Sequence, residues 1–351
     1  MKLLQLSQLK PGMKLAVDVI LSDGRLLLLS GFIMKPLYIR KLMMFNVPFV
    51  YVEDDYFTPV EDCEEKKIYN HAVSFVENFF SLVSNNEKSD ISEVKNTVND
   101  IITGVIKNDT IMIQLTGMLD IDRYTYIHSV DVCIYSLIIG KKLGYSNDML
   151  LELGTGAILH DIGKCKIPPE ILLKPDKLTT DEFSLMMLHT VYGAEILKSC
   201  CGMNSRIANI AFQHHEKWNG SGYPTGVAAY DIDPFPRIVA LVDVYDALTS
   251  DRVYRKGELP HIATDYLKVN SGILFDPYLV KLFIENIATY FEGTLVQLST
   301  GELGYVMETK SSENTRQMVN VFSNNFGPPV LQPYTVDLNQ KKDVKISKIF
   351  I

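Results

Sequence analysis

Gly156-Ala157-Ile158-Leu159-His160-Asp161-Ile162-Gly163-Lys164 is the stretch on which the reading of this chain turns. An apolar run stops abruptly at an imidazole beside a carboxylate. At a helix end such a pair can offer one ring nitrogen and one carboxylate oxygen to a metal ion. Imidazole suits iron, manganese, zinc and similar ions, and a carboxylate can bridge two of them. Gly163 lets the backbone turn away, which brings Lys164 near enough to meet a phosphate. Taken alone, the pair has a plainer reading as a partly buried histidine with a capping aspartate.

Four further histidines weigh against that plainer reading. Five of the seven in the chain, His128, His160, His189, His214 and His215, fall between positions 128 and 215. Neighbours on a helix point about 100° apart, so His214 and His215 can serve one site only if it is wide, as a dinuclear site is. Asp243 ends the run Ile238-Val239-Ala240-Leu241-Val242. An acid there is expensive to bury unless it is paired or bound to metal. Each residue singly fits a structural role, but the five imidazoles and two acids together in one helical region point to a metal site.

Outward from this region the pattern changes twice. Residues 121–292 read as mostly helical, punctuated by Gly and Pro. Before them, 62–120 forms a helical connector. Ile68, Ala72, Phe75, Val76, Phe79 and Val83 keep a three-to-four spacing, Ser84-Asn85-Asn86 breaks it, and Val94, Val98, Ile101, Ile102 and Ile106 resume it. Such a stripe either faces a core within the chain or joins two copies as a homodimer. Residues 1–55 read as a small β-rich module with a hairpin at Asp23-Gly24, a short helix after Pro36 and a strand over Val47–Val52. Residues 293–351 read as a small β-rich C-terminal unit. The fold class is mainly α, with a small N-terminal α/β module and a small C-terminal β unit.

Composition narrows the function. Hydrophobic residues make up 47% and charged residues 22%, enough for a packed core. The formal net charge of −8 weighs against binding to nucleic-acid polymers, so any phosphate site must rely on local positive charge. Five scattered cysteines without a C-x-x-C pair suit reduced thiols and a cytoplasmic location. The first residues carry too short an apolar run for a signal peptide. No uncharged apolar stretch reaches about 18 residues, so no membrane span is expected.

The motifs, in their order, resemble the HD-GYP subgroup of the HD phosphohydrolase superfamily. They are His128-Ser129-Val130, then His160-Asp161-Ile162-Gly163-Lys164 with Cys165 to Pro168, then His189-Thr190-Val191-Tyr192-Gly193. His214-His215-Glu216-Lys217-Trp218-Asn219-Gly220-Ser221-Gly222-Tyr223-Pro224 follows, and the run from Arg237 to Arg252 and Phe275-Asp276-Pro277 close the series. The resemblance covers roughly 121–290. It implies an HD-type helical bundle around a metal cluster and hydrolysis of cyclic di-GMP to linear pGpG or on to GMP. It implies metal ligands His128, His160, Asp161, His189, His214, His215 and Asp243, a phosphate-facing Lys164, and substrate contacts from Tyr223, Asp246, Arg252 and Arg255.

Two positions depart from the family pattern. Some members carry a glutamate one helical turn before the first histidine and hold three metals, whereas here that position is Tyr124, so two divalent ions, iron or manganese, are expected. Asn219 replaces the usual aspartate and can keep a turn-type hydrogen bond. In the mechanism this suggests, Asp161 bridges the two cations and a shared water becomes the attacking hydroxide. Rival readings keep the metals but change the substrate to another cyclic dinucleotide or a mononucleotide, make the protein a non-catalytic dinucleotide receptor, or assign oxygen chemistry to a di-iron centre.

Overall fold

The computed structural model describes residues 2–6, 9–15, 18–20, 26–29, 31–45, 47, 49–52, 64–85, 87, 91–115, 123–250, 257–287, 290, 294–307, 318–323, 329–338, 340, 341 and 343–350. The chain divides into two compact units, one made of Met1–Cys63 with Ala288–Ile351, the other of Glu64–Ile287.

The first unit is built mainly from short strands. β1 (Lys2–Gln5), β2 (Val19–Ile20), β3 (Leu26–Leu28), helix α1 (Pro36–Met44) and β4 (Phe49–Val52) follow in order. β1 pairs antiparallel with β4, and β2 with β3. The Asp23-Gly24 turn lies outside the described residues, but the strands on either side of it pair as a hairpin requires. Pro36 opens α1, where its fixed φ and missing N–H cost nothing. Leu4, Leu15, Met34, Leu42, Val50 and Val52 make this core. At the other end of the chain β5 (Leu295–Leu298), β6 (Leu303–Val306), β7 (Met318–Ser323), β8 (Pro329–Asp337) and β9 (Ile346–Phe350) form an antiparallel sheet of order β8-β7-β6-β5-β9. Alternation sends Val296, Leu298, Val306, Val319, Val321 and Val336 to one buried cluster. Tyr51 of β4 meets Tyr305 of β6 edge to face at 4.7 Å, inside the same unit.

The second unit is helical: α2 (Glu64–Ser84), α3 (Ile91–Leu115), α4 (Tyr124–Lys142), α5 (Asn147–Ile158), α6 (Pro169–Leu172), α7 (Thr180–Met187), α8 (His189–Glu195), α9 (Ser205–Gln213), α10 (Pro234–Thr249), α11 (Pro260–Val269) and α12 (Pro277–Asn286). α4 is buried without interruption from Ile127 to Gly140, its polar His128, Ser129, Asp131 and Ser136 included, which makes it the central helix. α2, α3, α5, α10 and α12 pack around it. Side chains of Ser146, Thr179, Asn204 and Asp276 accept backbone N–H bonds at the starts of α5, α7, α9 and α12, fixing where these helices begin. No helix among the described residues is long and apolar enough to cross a membrane.

The stretch read as a connector packs into this unit. Ala72, Phe75, Val76, Phe79 and Val83 of α2 and Val94, Val98, Ile101 and Ile102 of α3 are buried. Each large apolar side chain so buried contributes roughly 1.5–3 kcal/mol. These positions of the stripe are therefore covered by the chain's own helices, whereas Ile106 at its end is 51% exposed. Tyr69 of α2 also donates a hydrogen bond of 2.7 Å to the buried carboxylate of Asp131 on α4.

One close approach sets the geometry of everything beyond α5. After α5 the chain makes a 3-10 turn, Ile162–Lys166, which lies directly against the start of α8. A Cβ on Gly163 would fall 1.9 Å from the His189 carbonyl oxygen and 2.4 Å from the Gly193 nitrogen. Only glycine permits this contact, and the contact draws Asp161 toward His189. Gly163→Ala is expected to destabilise the protein by more than the roughly 1–3 kcal/mol of ordinary overpacking, because the obstacles are backbone atoms. Urea denaturation checks this, and an unchanged midpoint would show that the turn and α8 can separate freely.

Candidate metal centre

The seven residues expected as ligands come from five places in the fold: His128 on α4, His160 and Asp161 after α5, His189 at the start of α8, His214 and His215 just past α9, and Asp243 in α10. The structure brings all seven together in two groups. Ligand atoms of Asp161, His189, His214 and His215 lie within 4.8 Å of one another, and so do those of His128, His160 and Asp243.

Asp161 joins the groups. Its Oδ1 lies 3.5 Å from His189 Nε2 and 3.8 Å from His214 Nε2, while its Oδ2 lies 3.4 Å from His160 Nε2. Lys164, 28% exposed, forms a close ion pair with the same Oδ2. In the second group His128 Nε2 lies 3.2 Å from Asp243 Oδ1.

Local backbone fixes which nitrogen of each ring faces inward. His160 Nδ1 is 2.7 Å from the Ala157 carbonyl, His189 Nδ1 is 2.6 Å from the Met186 carbonyl, and His214 Nδ1 is 2.9 Å from the Ala211 carbonyl. A carbonyl only accepts, so each Nδ1 carries the proton and each Nε2 presents a lone pair. His189 Nε2 and His214 Nε2 then face each other at 3.4 Å as two acceptors. His160 Nε2 and Asp161 Oδ1 are buried without a hydrogen-bond partner. Converging acceptors with a buried carboxylate are what a cation satisfies, so these residues fit metal ions.

Charge follows the same pattern. Burial, helped by the close approach of the neighbouring imidazoles, lowers the pKa of His214 well below the ordinary imidazole value. Burial likewise lowers His189, and takes His215 down to about 3. These rings are neutral at physiological pH, the form that ligates. For Asp161 burial works against the charge, but Lys164 and His160 outweigh it and hold the carboxyl well below the usual range. His128 is the exception among the imidazoles. Burial disfavours its charge, yet hydrogen bonds to Asp243 and Asp246 together raise its pKa to about 10.

The expected substrate contacts divide. Tyr223 sits beside the first group, its ring 4.8 Å from that of His215 at 33°. Burial raises its phenol pKa, so the hydroxyl stays protonated and can donate. Asp246 is placed elsewhere than expected. It is 1% exposed, accepts from His128 Nδ1 at 2.7 Å and from Ser250 Oγ at 3.1 Å, and so stands behind a ligand rather than facing a substrate. Arg252 and Arg255 lie outside the described residues. Tyr124 stacks on the His128 ring at 6.0 Å and 16°. Asn219 keeps the turn, its Oδ1 accepting from Ser221 N at 3.1 Å and Ser221 Oγ at 2.6 Å.

Sequence reasoning assigned no role to Glu216. Its buried carboxylate accepts from Thr225 N at 2.8 Å, Thr225 Oγ1 at 2.7 Å and Gly226 N at 3.1 Å. These bonds close the loop that carries Tyr223 and pin it to the end of α9. The signal lay in the sequence as an acid directly after the histidine pair, followed nine residues later by a threonine and a glycine.

Residues 117–279 match the family model described as an HD domain. The chain is similar to a cyclic di-GMP phosphodiesterase of Pseudomonas aeruginosa, 34% identical over 251 residues, which cover 72% of this chain and 60% of that protein. A cyclic di-GMP phosphodiesterase response regulator of Xanthomonas campestris is 40% identical over 152 residues, 43% of this chain and 40% of that protein. A 3'3'-cGAMP-specific phosphodiesterase of Vibrio cholerae is 36% identical over 165 residues, 47% of this chain and 32% of that protein. The chain thus spans less than two thirds of the length of these relatives. Among solved structures, an HDG"Y"P protein from Bdellovibrio bacteriovorus superposes with a TM-score of 0.52 at 18% identity, covering 80% of this chain and 97% of that one, a likeness of fold alone.

Two outcomes follow from this geometry. Asp246→Asn leaves the fold intact but weakens the hold on His128, and a loss of about 10–100-fold in metal affinity is expected by competition with a chromogenic chelator. An unchanged affinity would remove Asp246 from the ligand's support. Stability of the chelator-stripped protein depends on pH through His128. Its folded pKa lies above the ordinary 6.5, so its contribution is fully present below pH 6.5 and is lost as pH rises through about 10. Thermal melts of stripped protein should fall across that window, and a flat profile would contradict the Asp243–His128–Asp246 arrangement.

Proposed function

We propose, from the match of residues 117–279 to the HD domain model, that the protein is a phosphodiesterase hydrolysing cyclic di-GMP to linear pGpG or GMP with two divalent ions, iron or manganese. The observation that carries this reading is Asp161, whose two oxygens face two separate groups of ligand atoms. When bound, such a pair of ions supplies an activated water and stabilises charge developing on a phosphate.

The chain's own residues do the rest. Carbonyls of Ala157, Met186 and Ala211 hold three rings so that Nε2 faces inward. Asp161 and Asp243 bring negative charge, which favours cations in a site that burial would otherwise keep neutral. Lys164 rests on Asp161 and is the nearest cationic side chain to it. With Asp161 among the residues that would hold the ions, the Lys164 ammonium would be placed to bind a phosphate oxygen. Tyr223 offers a donor and a ring face beside His215. Arg252 and Arg255 are assigned to the second phosphate or a guanine edge. The thiols of Cys133 and Cys165 suit the cytoplasm, where such a messenger is degraded.

A second substrate reading has its own support, because relatives in Vibrio cholerae carry the name 3'3'-cGAMP-specific phosphodiesterase. Turnover of both cyclic dinucleotides by protein purified without oxygen, with metal measured by elemental analysis, separates the two. Two metal equivalents and hydrolysis of cyclic di-GMP are expected. His160→Ala and Asp161→Ala should each lose metal and more than about a hundredfold in rate, exceeding the effect of outer-shell changes. Fully metallated protein that binds the dinucleotide without cleaving it would make the chain a receptor instead.

A further inference from the structure

Helix α7 buries none of its side chains, yet it is held firmly. Thr179 and Glu182 close a reciprocal cap at its start, with Glu182 accepting from the Thr179 N–H at 2.7 Å. The same carboxylate accepts from Lys174 Nζ at 2.6 and 2.8 Å. A short helix with no buried face, fixed by polar bonds at its first turn, presents its apolar side chains to water at a defined place. Among these is Phe183, 48% exposed.

Phe183 has one ring neighbour of consequence. Its centroid lies 6.2 Å from that of Tyr223, at 82°. Tyr223 in turn packs on His215 and lies 6.4 Å from His189. Aromatic surface therefore runs without a gap from the ligand histidines, through a half-buried tyrosine, to a phenylalanine standing in water. Exposing half a phenylalanine costs free energy, and nothing in the packing of α7 requires an aromatic there. Two rings at right angles make a corner in which a flat heterocycle can stack on one ring and set its edge against the other.

From this placement we infer that Phe183 is a substrate-contacting residue: it receives a purine base of the cyclic dinucleotide, stacked on its exposed face, while Tyr223 borders the base on the side of the metal centre. The inference rests on the phosphodiester reading above and adds to it the side chain that holds the base. Every base has a π-face, so Phe183 supplies affinity, while choice between guanine and adenine falls to hydrogen-bonding groups elsewhere.

Calorimetric titration of cyclic di-GMP, cyclic di-AMP and 3'3'-cGAMP into the full chain, loaded with manganese, tests this. Phe183→Ala and Phe183→Leu should each weaken the dissociation constant by about tenfold, within the range of one base–aromatic stack. Phe183→Trp should bind within about twofold of the parent. Leucine keeps the apolar contact with Tyr223 but has no π-face, so a leucine variant that binds as the parent does would overturn the inference, as would a parent chain that binds none of the three. Metal content and melting temperature should stay unchanged in all variants; a leucine variant that lost metal would show a structural role instead. Turnover by the parent chain is read separately. If the parent binds but cleaves no cyclic dinucleotide, the catalytic reading fails while the Phe183 series still decides the stacking.

Discussion

Carbonyl oxygens at helix ends govern this protein's chemistry. The Nδ1 atoms of His160, His189 and His214 each lie against a backbone carbonyl three residues earlier, so Nε2 lone pairs are forced into a shared space already occupied by the Asp161 carboxylate. Gathering acceptors in a buried volume is unfavourable for a protein alone, because each loses water and gains no donor. The arrangement persists because the surrounding helices are packed well enough to impose it. α4, buried along almost its whole length, anchors the side of the site that holds His128, and the Gly163 contact anchors the side that holds Asp161.

That dependence explains the position of each acid. Asp161 and Asp243 face the rings directly, and each is kept ionised against burial by the cationic groups beside it. Asp246 stands one layer back and acts on His128 Nδ1, the ring nitrogen that has no carbonyl to bind. His128 differs from His189, His214 and His215 for this reason: a carboxylate on either side makes its proton tenacious, while burial leads those three rings to shed theirs. The two groups therefore differ in charge, although Asp161 faces both.

Much of this was legible in the sequence, and the parts that were not share a cause. Residue type and clustering singled out the five histidines and two aspartates that the fold gathers into two groups, because so many imidazoles and acids in one apolar helical region have few uses. The stripe on α2 was legible as a buried face, but periodicity does not say what buries it, and α3 and α4 turned out to be the partners. Asp246 lies one turn beyond Asp243 on the same helix, so its sequence position suited either the substrate side or the support of a ligand. Only the placement of α4 against α10 decides between them, and that is a tertiary fact. Glu216 escaped notice because its partners, Thr225 and Gly226, are backbone and hydroxyl groups with no motif of their own.

The loop from Lys217 to Gly226 shows how the two halves of the site are linked. Its anchor is a carboxylate adjacent to two ligands, its tip carries Tyr223, and its other strand is held by bonds from Trp218 and Asn219 to the carbonyls of Leu274 and Ile273. Gly222 lies so close to His215 and Glu216 that any side chain there would meet backbone at 2.5 Å. The tyrosine is thus positioned by the same few residues that position the ligands. An anionic molecule approaching this chain meets an overall charge of −8, so attraction must come from local groups such as Lys164 and from contact with rings rather than from the long-range field. Short-range recognition of that kind rewards a rigid aromatic wall, and Tyr223 is such a wall, packed on His215 beside the gathered imidazoles.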